Sequence, residues 1–266
     1  MTVGERRARF RELHAAEGVF VMPNAWDEGS ARLLAWSGFD AIATTSAGFA
    51  WTLGRNDQNV TLDELVTHVE RLSAATDLPL SVDSERLFAP DPAGVAEAVR
   101  LLAAAGAAGC SIEDYDPATG RIDPVDVATE RVAAAAAAAH EGEPMVLTAR
   151  SENHLHGVDD LDDTIARLVA YETAGADAVY APGLTDPADI RAVVTAVGVP
   201  VNVLALPDTP PVAELGQLGV RRVSTGSLLA SAAYGALLAG ARELRTQGSS
   251  EYARAGLPRD ARTAAF

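Results

Sequence analysis

Residues Asp162 to Ala181 read DDTIARLVAYETAGADAVYA. Ile165, Leu168 and Val169 recur at helical spacing, Gly175 interrupts them, and the short apolar run Ala178 to Ala181 follows. That order predicts a helix over Asp162 to Ala174, a left-handed cap at Gly175 and a buried strand. The same junction recurs at Ser37-Gly38-Phe39-Asp40, Ala105-Gly106-Ala107-Ala108 and Leu218-Gly219-Val220-Arg221. Working outward, eight apolar runs predict strands: Phe20 to Pro23, Ala41 to Ser46, Leu80 to Asp83, Gly109 to Asp114, Met145 to Arg150, Ala178 to Ala181, Val201 to Leu204 and Arg222 to Thr225. Helical spacing lies between them at Glu28 to Ser37, Leu62 to Ala75, Pro92 to Ala105 and Asp162 to Ala174. The alanine run Ala133 to Ala139 reads as helix, since alanine has the highest helix propensity. Apolar strands alternating with helices predict a parallel sheet covered by helices, and eight consecutive units fit a single-domain α/β fold, the (β/α)₈ TIM-type barrel. No GxGxxG follows the first strand, which disfavours a dinucleotide fold. The barrel is expected over residues 1–245, with a C-terminal tail over 246–266.

Composition agrees with a large soluble core. The chain has 266 residues, 48% hydrophobic and 22% charged, and 21 Lys+Arg against 37 Asp+Glu give a net charge of −16. Such an acidic chain lacks the electrostatic footprint of a nucleic-acid binder. One cysteine, Cys110, excludes an internal disulfide framework, and the polar opening from Thr2 to Arg9 has no signal-peptide character. No apolar run is long enough to span a membrane. A cytoplasmic protein is expected.

Barrel enzymes carry their chemistry at the C-terminal ends of the strands. Here those ends hold Thr44-Thr45-Ser46, Asp83-Ser84-Glu85, Glu113-Asp114 and Arg150-Ser151-Glu152, and the seventh strand contains Asn202. From pattern alone, Asp83 and Glu85 serve equally well as strand-end hydrogen-bond acceptors or as cation ligands. Oxygen-only donors without cysteine or histidine favour Mg²⁺ or Mn²⁺ over Zn²⁺. Arg150 suits a carboxylate or phosphate, so a small anionic substrate is expected. His154 and His156 have no third ligand at a recognisable spacing and read as loop residues.

The chain resembles the isocitrate lyase/phosphoenolpyruvate mutase superfamily. The resemblance runs from about Phe20 to Gly235 through Asn24-Ala25-Trp26-Asp27, Ser30-Ala31-Arg32, Gly38-Phe39-Asp40-Ala41-Ile42 and Leu53-Gly54-Arg55-Asn56-Asp57. It continues through Ser81-Val82-Asp83-Ser84-Glu85, Ile112-Glu113-Asp114, Ala149-Arg150-Ser151-Glu152 and Ala170 to Asp177. It implies that Asp83, Glu85 and Glu113 hold the metal, directly or through water, with Asp57 nearby. It also implies that Thr45-Ser46-Ala47 bind a substrate carboxylate, that Arg150 contacts the oxyanion end and that Glu152 and Asn202 line the pocket. Trp26 is expected beside the substrate, and Arg150, Glu113 and Asp57 as the catalytic set. The shared chemistry makes or breaks a C–C or P–C bond beside a 2-oxo acid or enolpyruvate, through a metal-stabilised enolate.

Two departures narrow the expectation. The family's lyases carry a Lys-Arg/Lys-Cys-Gly-His loop, and its phosphoenolpyruvate mutases a Lys-Thr-Asn-Ser pattern. Here the corresponding stretch is Tyr115-Asp116-Pro117-Ala118-Thr119-Gly120-Arg121, which disfavours isocitrate or methylisocitrate cleavage and mutase activity. Decarboxylase or hydrolase action on an oxaloacetate-like or phosphonopyruvate-like acid needs no such loop. The family's Gly-Tyr-Gly after the acidic pair is replaced by Arg86-Leu87-Phe88, a cation expected to reshape the pocket or compete with Mg²⁺. These departures motivate a rival: a catalytically disabled barrel that binds a small carboxylate as a sensor. A Schiff-base aldolase is excluded because the chain has no lysine. The resemblance further implies a homotetramer or homodimer, with Leu228 to Leu244 as the helix that packs on a partner.

Overall fold

A computed structural model describes all residues from Met1 to Phe266. Eight parallel strands form the sheet: β1 (Phe20–Met22), β2 (Ile42–Ala43), β3 (Leu80–Val82), β4 (Gly109–Glu113), β7 (Val146–Arg150), β8 (Ala178–Tyr180), β9 (Val201–Leu204) and β10 (Arg222–Ser224). A separate antiparallel hairpin, β5 (Tyr115–Asp116) with β6 (Arg121–Ile122), follows β4. The sheet order is β1-β10-β9-β8-β7-β4-β3-β2, and a parallel bridge between Asn24 and Ala43 joins its two edges. The result is the expected barrel.

Helices α2 (Glu28–Trp36), α4 (Leu62–Ala75), α5 (Pro92–Ala104), α6 (Val125–Ala139), α7 (Leu161–Thr173), α8 (Pro187–Ala196) and α9 (Val212–Leu218) alternate with the strands. Gly38, Gly106, Gly175 and Gly219 take φ between 86° and 105°, the left-handed conformation that the junctions require. The run expected as a strand over Ala41 to Ser46 pairs only at Ile42–Ala43. Thr45 instead accepts a hydrogen bond from the Gly48 N–H and caps α3 (Ser46–Thr52).

Two apolar layers result. Alternate strand residues such as Leu147, Ala149 and Val179 face the helices and form the larger core. The opposite faces point into the barrel, whose lower end is filled by Met22, Ala41, Ala43, Ala108 and Val146. Phe10 and Leu13 complete that plug from α1 (Val3–Ala15), a helix the sequence reading does not anticipate. Its arginines meet the carbonyls left orphaned where helices end. Arg6 donates to Ser73 O at 2.7 Å, and Arg7 donates to Ala103 O, Ala107 O and Glu143 O at 2.6, 3.0 and 3.0 Å.

After β10 the chain enters α10 (Leu228–Gln247), along which only Ala230 and Gly240 are buried. Leu237 is 68% exposed and Leu238 51%. The C-terminal segment ends in α11 (Arg259–Ala265), which packs on α2 of the same chain. No helix is long and apolar enough to cross a membrane.

Candidate active site

A cavity of about 170 Å³ opens at the C-terminal ends of the strands, the size class of a small acid rather than a drug-sized ligand. It is lined by Asp57, Asp83, Thr45, Ser46, Ala47, Arg150 and Asn202 among the expected residues. Glu85, Glu113 and Glu152 stand behind this wall, each buried. Trp26 does not face the cavity. It lines a separate groove with Leu33, Leu229 and Phe266, because α2 begins just after it and carries its side chain outward.

Arg150 organises the wall. Its Nη1 donates to Asp83 Oδ1 at 2.8 Å and its Nε to Glu152 Oε1 at 2.7 Å, while Nη2 lies 3.4 Å from Glu113 Oε2. The guanidinium also lies over the Tyr180 ring, 5.3 Å from its centroid. Burial works against the charge, yet Glu152, Glu113 and Asp83 together hold the guanidinium pKa well above its usual value. Burial raises the Glu113 carboxyl, opposed by Arg150. Gln58, whose φ is 58°, donates its side-chain N–H to Glu113 Oε1 at 3.1 Å. Asp83 Oδ2 accepts the Ser46 N–H at 2.9 Å, so that amide serves the acidic cluster. Asp57 sits on the exposed lip, its carboxyl raised by partial burial and by the charge of Asp83.

Glu85 is 7% exposed, and its Oε1 has no hydrogen-bond partner. Burial and the charges of Asp83 and Asp57 push its carboxyl up to about 8. Asp83, Glu113 and Glu152 pair with a single guanidinium while Asp57 and Glu85 stand close by, so five carboxyls share one cation and their mutual repulsion helps to raise Asp57 and Glu85. Oxygen donors of this kind, one of them the unpartnered Glu85 Oε1, fit a hard divalent cation, whose charge would favour their ionised forms. No three acidic or imidazole side chains converge into a ready cage, so a cation here would rely on water for the rest of its coordination.

Arg86 does not compete for that position. Its Nε and Nη2 both donate to Asp123 Oδ2, at 3.0 and 2.7 Å, which turns the guanidinium toward the hairpin side of the loop. The cation expected to compete with Mg²⁺ is thus held by Asp123 in this structure. The backbone nevertheless keeps a glycine-adapted path, with Glu85, Leu87 and Phe88 at φ 48°, 59° and 56°. Non-glycine residues hold such angles only where surrounding packing enforces them. Leu87 is fully buried, and Arg131 Nη2 donates to Arg86 O at 2.7 Å.

Asp114 is structural. It accepts from the Glu152 N–H, Arg167 Nη1 and the Tyr171 hydroxyl, and so fixes the loop that carries Glu152. His154 bonds to Thr164, and His156 stacks on Tyr115 with centroids 3.6 Å apart. Cys110 faces the outer core, with burial pushing its thiol up to about 12, so it offers no thiol to the cavity.

Two residues of the interior escape the sequence reading. Asn24 Oδ1 accepts from the Thr225 and Gly226 N–H groups, tying β1 to the loop after β10. Arg222 lies inside the barrel, where its position next to Arg221 gives the look of an ordinary surface pair. Period-two alternation along β10 was the available signal, since it puts Arg222 and Ser224 on one face.

The family described as phosphoenolpyruvate phosphomutase matches residues 10–245. An oxaloacetate decarboxylase of Paraburkholderia xenovorans is 33% identical over 84% of this chain and 75% of its own. A "probable 2-methylisocitrate lyase 2" of Corynebacterium glutamicum is 31% identical, covering 88% of this chain and 74% of that one. The solved structure of a "putative lyase/mutase" from Burkholderia cenocepacia J2315 superposes with a TM-score of 0.94 at 49% identity, covering 98% of this chain and 95% of the other. With its barrel, its strand-end acidic cluster and these relatives, the chain belongs to the phosphoenolpyruvate phosphomutase family and is an enzyme of the isocitrate lyase/phosphoenolpyruvate mutase superfamily.

Proposed function

We propose that the protein is a Mg²⁺- or Mn²⁺-dependent lyase-like enzyme that cleaves a bond beside the 2-oxo group of a small anionic acid, by decarboxylation or hydrolysis of an oxaloacetate-like substrate. The observation that carries this reading is Arg150 ringed by Asp83, Glu113 and Glu152 in the cavity wall. Oxaloacetate decarboxylases among the relatives support it. Enzymes of the superfamily are generally Mg²⁺-dependent.

Asp83, Glu85 and Glu113 would hold the cation, with Asp57 at the lip. When bound, it supplies positive charge to the enolate oxygen that develops as the bond breaks. Arg150 uses three of its five N–H groups or fewer on the carboxylates, so its terminal nitrogens retain donors for a substrate oxygen. The Tyr180 ring lies under that guanidinium, 5.3 Å from its centroid, and helps to hold it. Glu113 and Glu152 keep Arg150 charged and oriented, and Gln58 holds Glu113 in place. Cys110 lies outside the cavity and so takes no part in proton return to the carbanion carbon. The sensor reading loses one of its two motives, because Arg86 pairs with Asp123. The apolar side chains exposed along α10 support a homotetramer or homodimer.

The test uses chelator-treated protein. Mg²⁺ or Mn²⁺ should raise the melting temperature, oxalate, a planar enolate mimic, should raise it further only with metal present, and oxaloacetate should turn over. Absence of a metal-dependent oxalate shift, together with no turnover across a panel of 2-oxo acids and phosphonates, would overturn the proposal.

A further inference from the structure

Most barrels fill their interior with branched apolar side chains. Above its apolar plug this one has instead Ser81, Ser111, Thr148, Asn202, Ser224 and Arg222, all lining the same cavity as Arg150. Arg222 is 3% exposed and has no carboxylate partner. Its Nε donates to Asn202 Oδ1 at 2.8 Å, its Nη1 to His14 Nε2 at 3.0 Å and its Nη2 to Thr148 Oγ1 at 3.0 Å. His14 is a neutral acceptor here, because its Nδ1 faces the Phe10 carbonyl at 2.8 Å and must carry the proton. Of five guanidinium N–H groups, three are matched by neutral acceptors, which leaves one on each terminal nitrogen. Thr148, having accepted from Arg222, keeps its own O–H to donate. Although burial lowers the Arg222 pKa to about 10, the group is still charged at neutral pH.

A buried cation with only neutral partners is costly, and an anion delivered by a ligand would offset the cost. Thr148 and Arg150 lie two apart on β7 and face the same way, about 6.6 Å of strand. We propose that Arg222 and Thr148 form an anion-binding floor to the pocket, which receives the second charged group of a dianionic 2-oxo acid whose first lies at the Arg150 wall. A four-carbon diacid reaches toward both levels, whereas an acid with one carboxylate engages a single level. This rests on the pocket being a 2-oxo acid site, and it makes Arg222 a specificity-determining residue.

The test measures binding of malate and of lactate, its one-carboxylate counterpart, by calorimetry with Mg²⁺ present. Wild-type protein should prefer malate by about tenfold or more, the scale of a charge-assisted hydrogen bond. Arg222→Met should erase that preference while lactate and oxalate affinities stay within about twofold. Thr148→Val, which retains the guanidinium, should reduce the preference and serves as the second variant if Arg222→Met does not fold. Equal binding of malate and lactate by wild-type protein, or an unchanged ratio in a folded Arg222→Met, would overturn the floor. Chloride protecting wild-type but not Arg222→Met, with no gain from malate, would reassign the site to a free halide and equally overturn it. Failure of oxalate to bind wild-type protein with metal would instead count against the functional reading itself.

Discussion

Asp123→Asn tests whether the Arg86 pair keeps a cation away from the acidic cluster. Both Arg86 hydrogen bonds end on Asp123 Oδ2, and the two side chains are 17% and 10% exposed. An exposed pair contributes about 0–1 kcal/mol, and stripping a fully buried charge of its partner costs about 3–5 kcal/mol. The residual exposure and the acceptor that asparagine retains place the loss near 2 kcal/mol. For a chain of this size that lowers the melting temperature by about 4–8 °C. The Asp123 backbone bonds to Asp114 O and Arg167 Nη1 survive the change, so the hairpin should stay folded. Released from Asp123, the Arg86 guanidinium is one residue from Glu85, and Mg²⁺ affinity should fall by about threefold or more. Arg86→Met in the same background should restore it. Thermal melts and a Mg²⁺ titration of chelated protein decide the matter. A melting temperature within about 1 °C of wild type, with Mg²⁺ affinity unchanged, would refute the role given to this pair.

Other predictions follow from the same geometry. Arg150→Lys should lower kcat on the substrate identified by the 2-oxo acid panel by about 10²-fold, because an ammonium cannot bridge three carboxylates in a plane; steady-state kinetics checks this. Saturating Mg²⁺ at about 100 times its Kd should stabilise chelated protein by about 2.7 kcal/mol in urea titrations, and Asp83→Asn should remove most of that gain. Burial and the charge of Arg222 depress His14 to about 3, below its usual 6.5. The unfolded chain therefore takes up the proton first, so this stability is complete above pH 6.5 and is lost as pH falls toward 3. His14→Gln should flatten that part of the urea-midpoint profile between pH 7.5 and 4. Paired Leu237→Glu and Leu238→Glu changes should reduce the assembled mass seen by light scattering while leaving circular dichroism unchanged.

The barrel was legible because its buried strands are unbroken apolar runs and its helix ends carry glycine. Leu62–Ala75 and Val201–Leu204 match the sequence reading residue for residue. Helix α1 is hard to read because three arginines resemble a solvated opening, although Thr2 and Glu5 form a capping box. Asp83 and Arg150 were legible as polar ends on apolar strands. Gln58 was not, since its place depends on a left-handed turn rather than on periodicity. The pairing of Arg86 is not legible in the sequence because its partner is 37 residues away, on the far side of the hairpin. The inward path of Arg222 depends on a strand of three residues, too short for alternation to stand out.

Helix α1 also bears on the order in which the chain acquires its structure. Its anchors are Ser73, Ala103, Ala107, Glu143 and Arg222, the last 208 residues from His14. Although α1 precedes every one of these partners in the chain, its docking surface is incomplete until β10 is made. Contacts of such sequence separation form late, since loop closure precedes their reward. Amides of α1 should therefore gain hydrogen-exchange protection after those of β3, β4 and β7 in a pulse-labelled refolding experiment. Early protection of α1 would show that the helix docks on a half-built barrel. The N-terminal helix thus acts as a closing stopper, and truncations that spare the barrel but remove it should leave a compact, slowly aggregating species with Phe20 and Val146 uncovered.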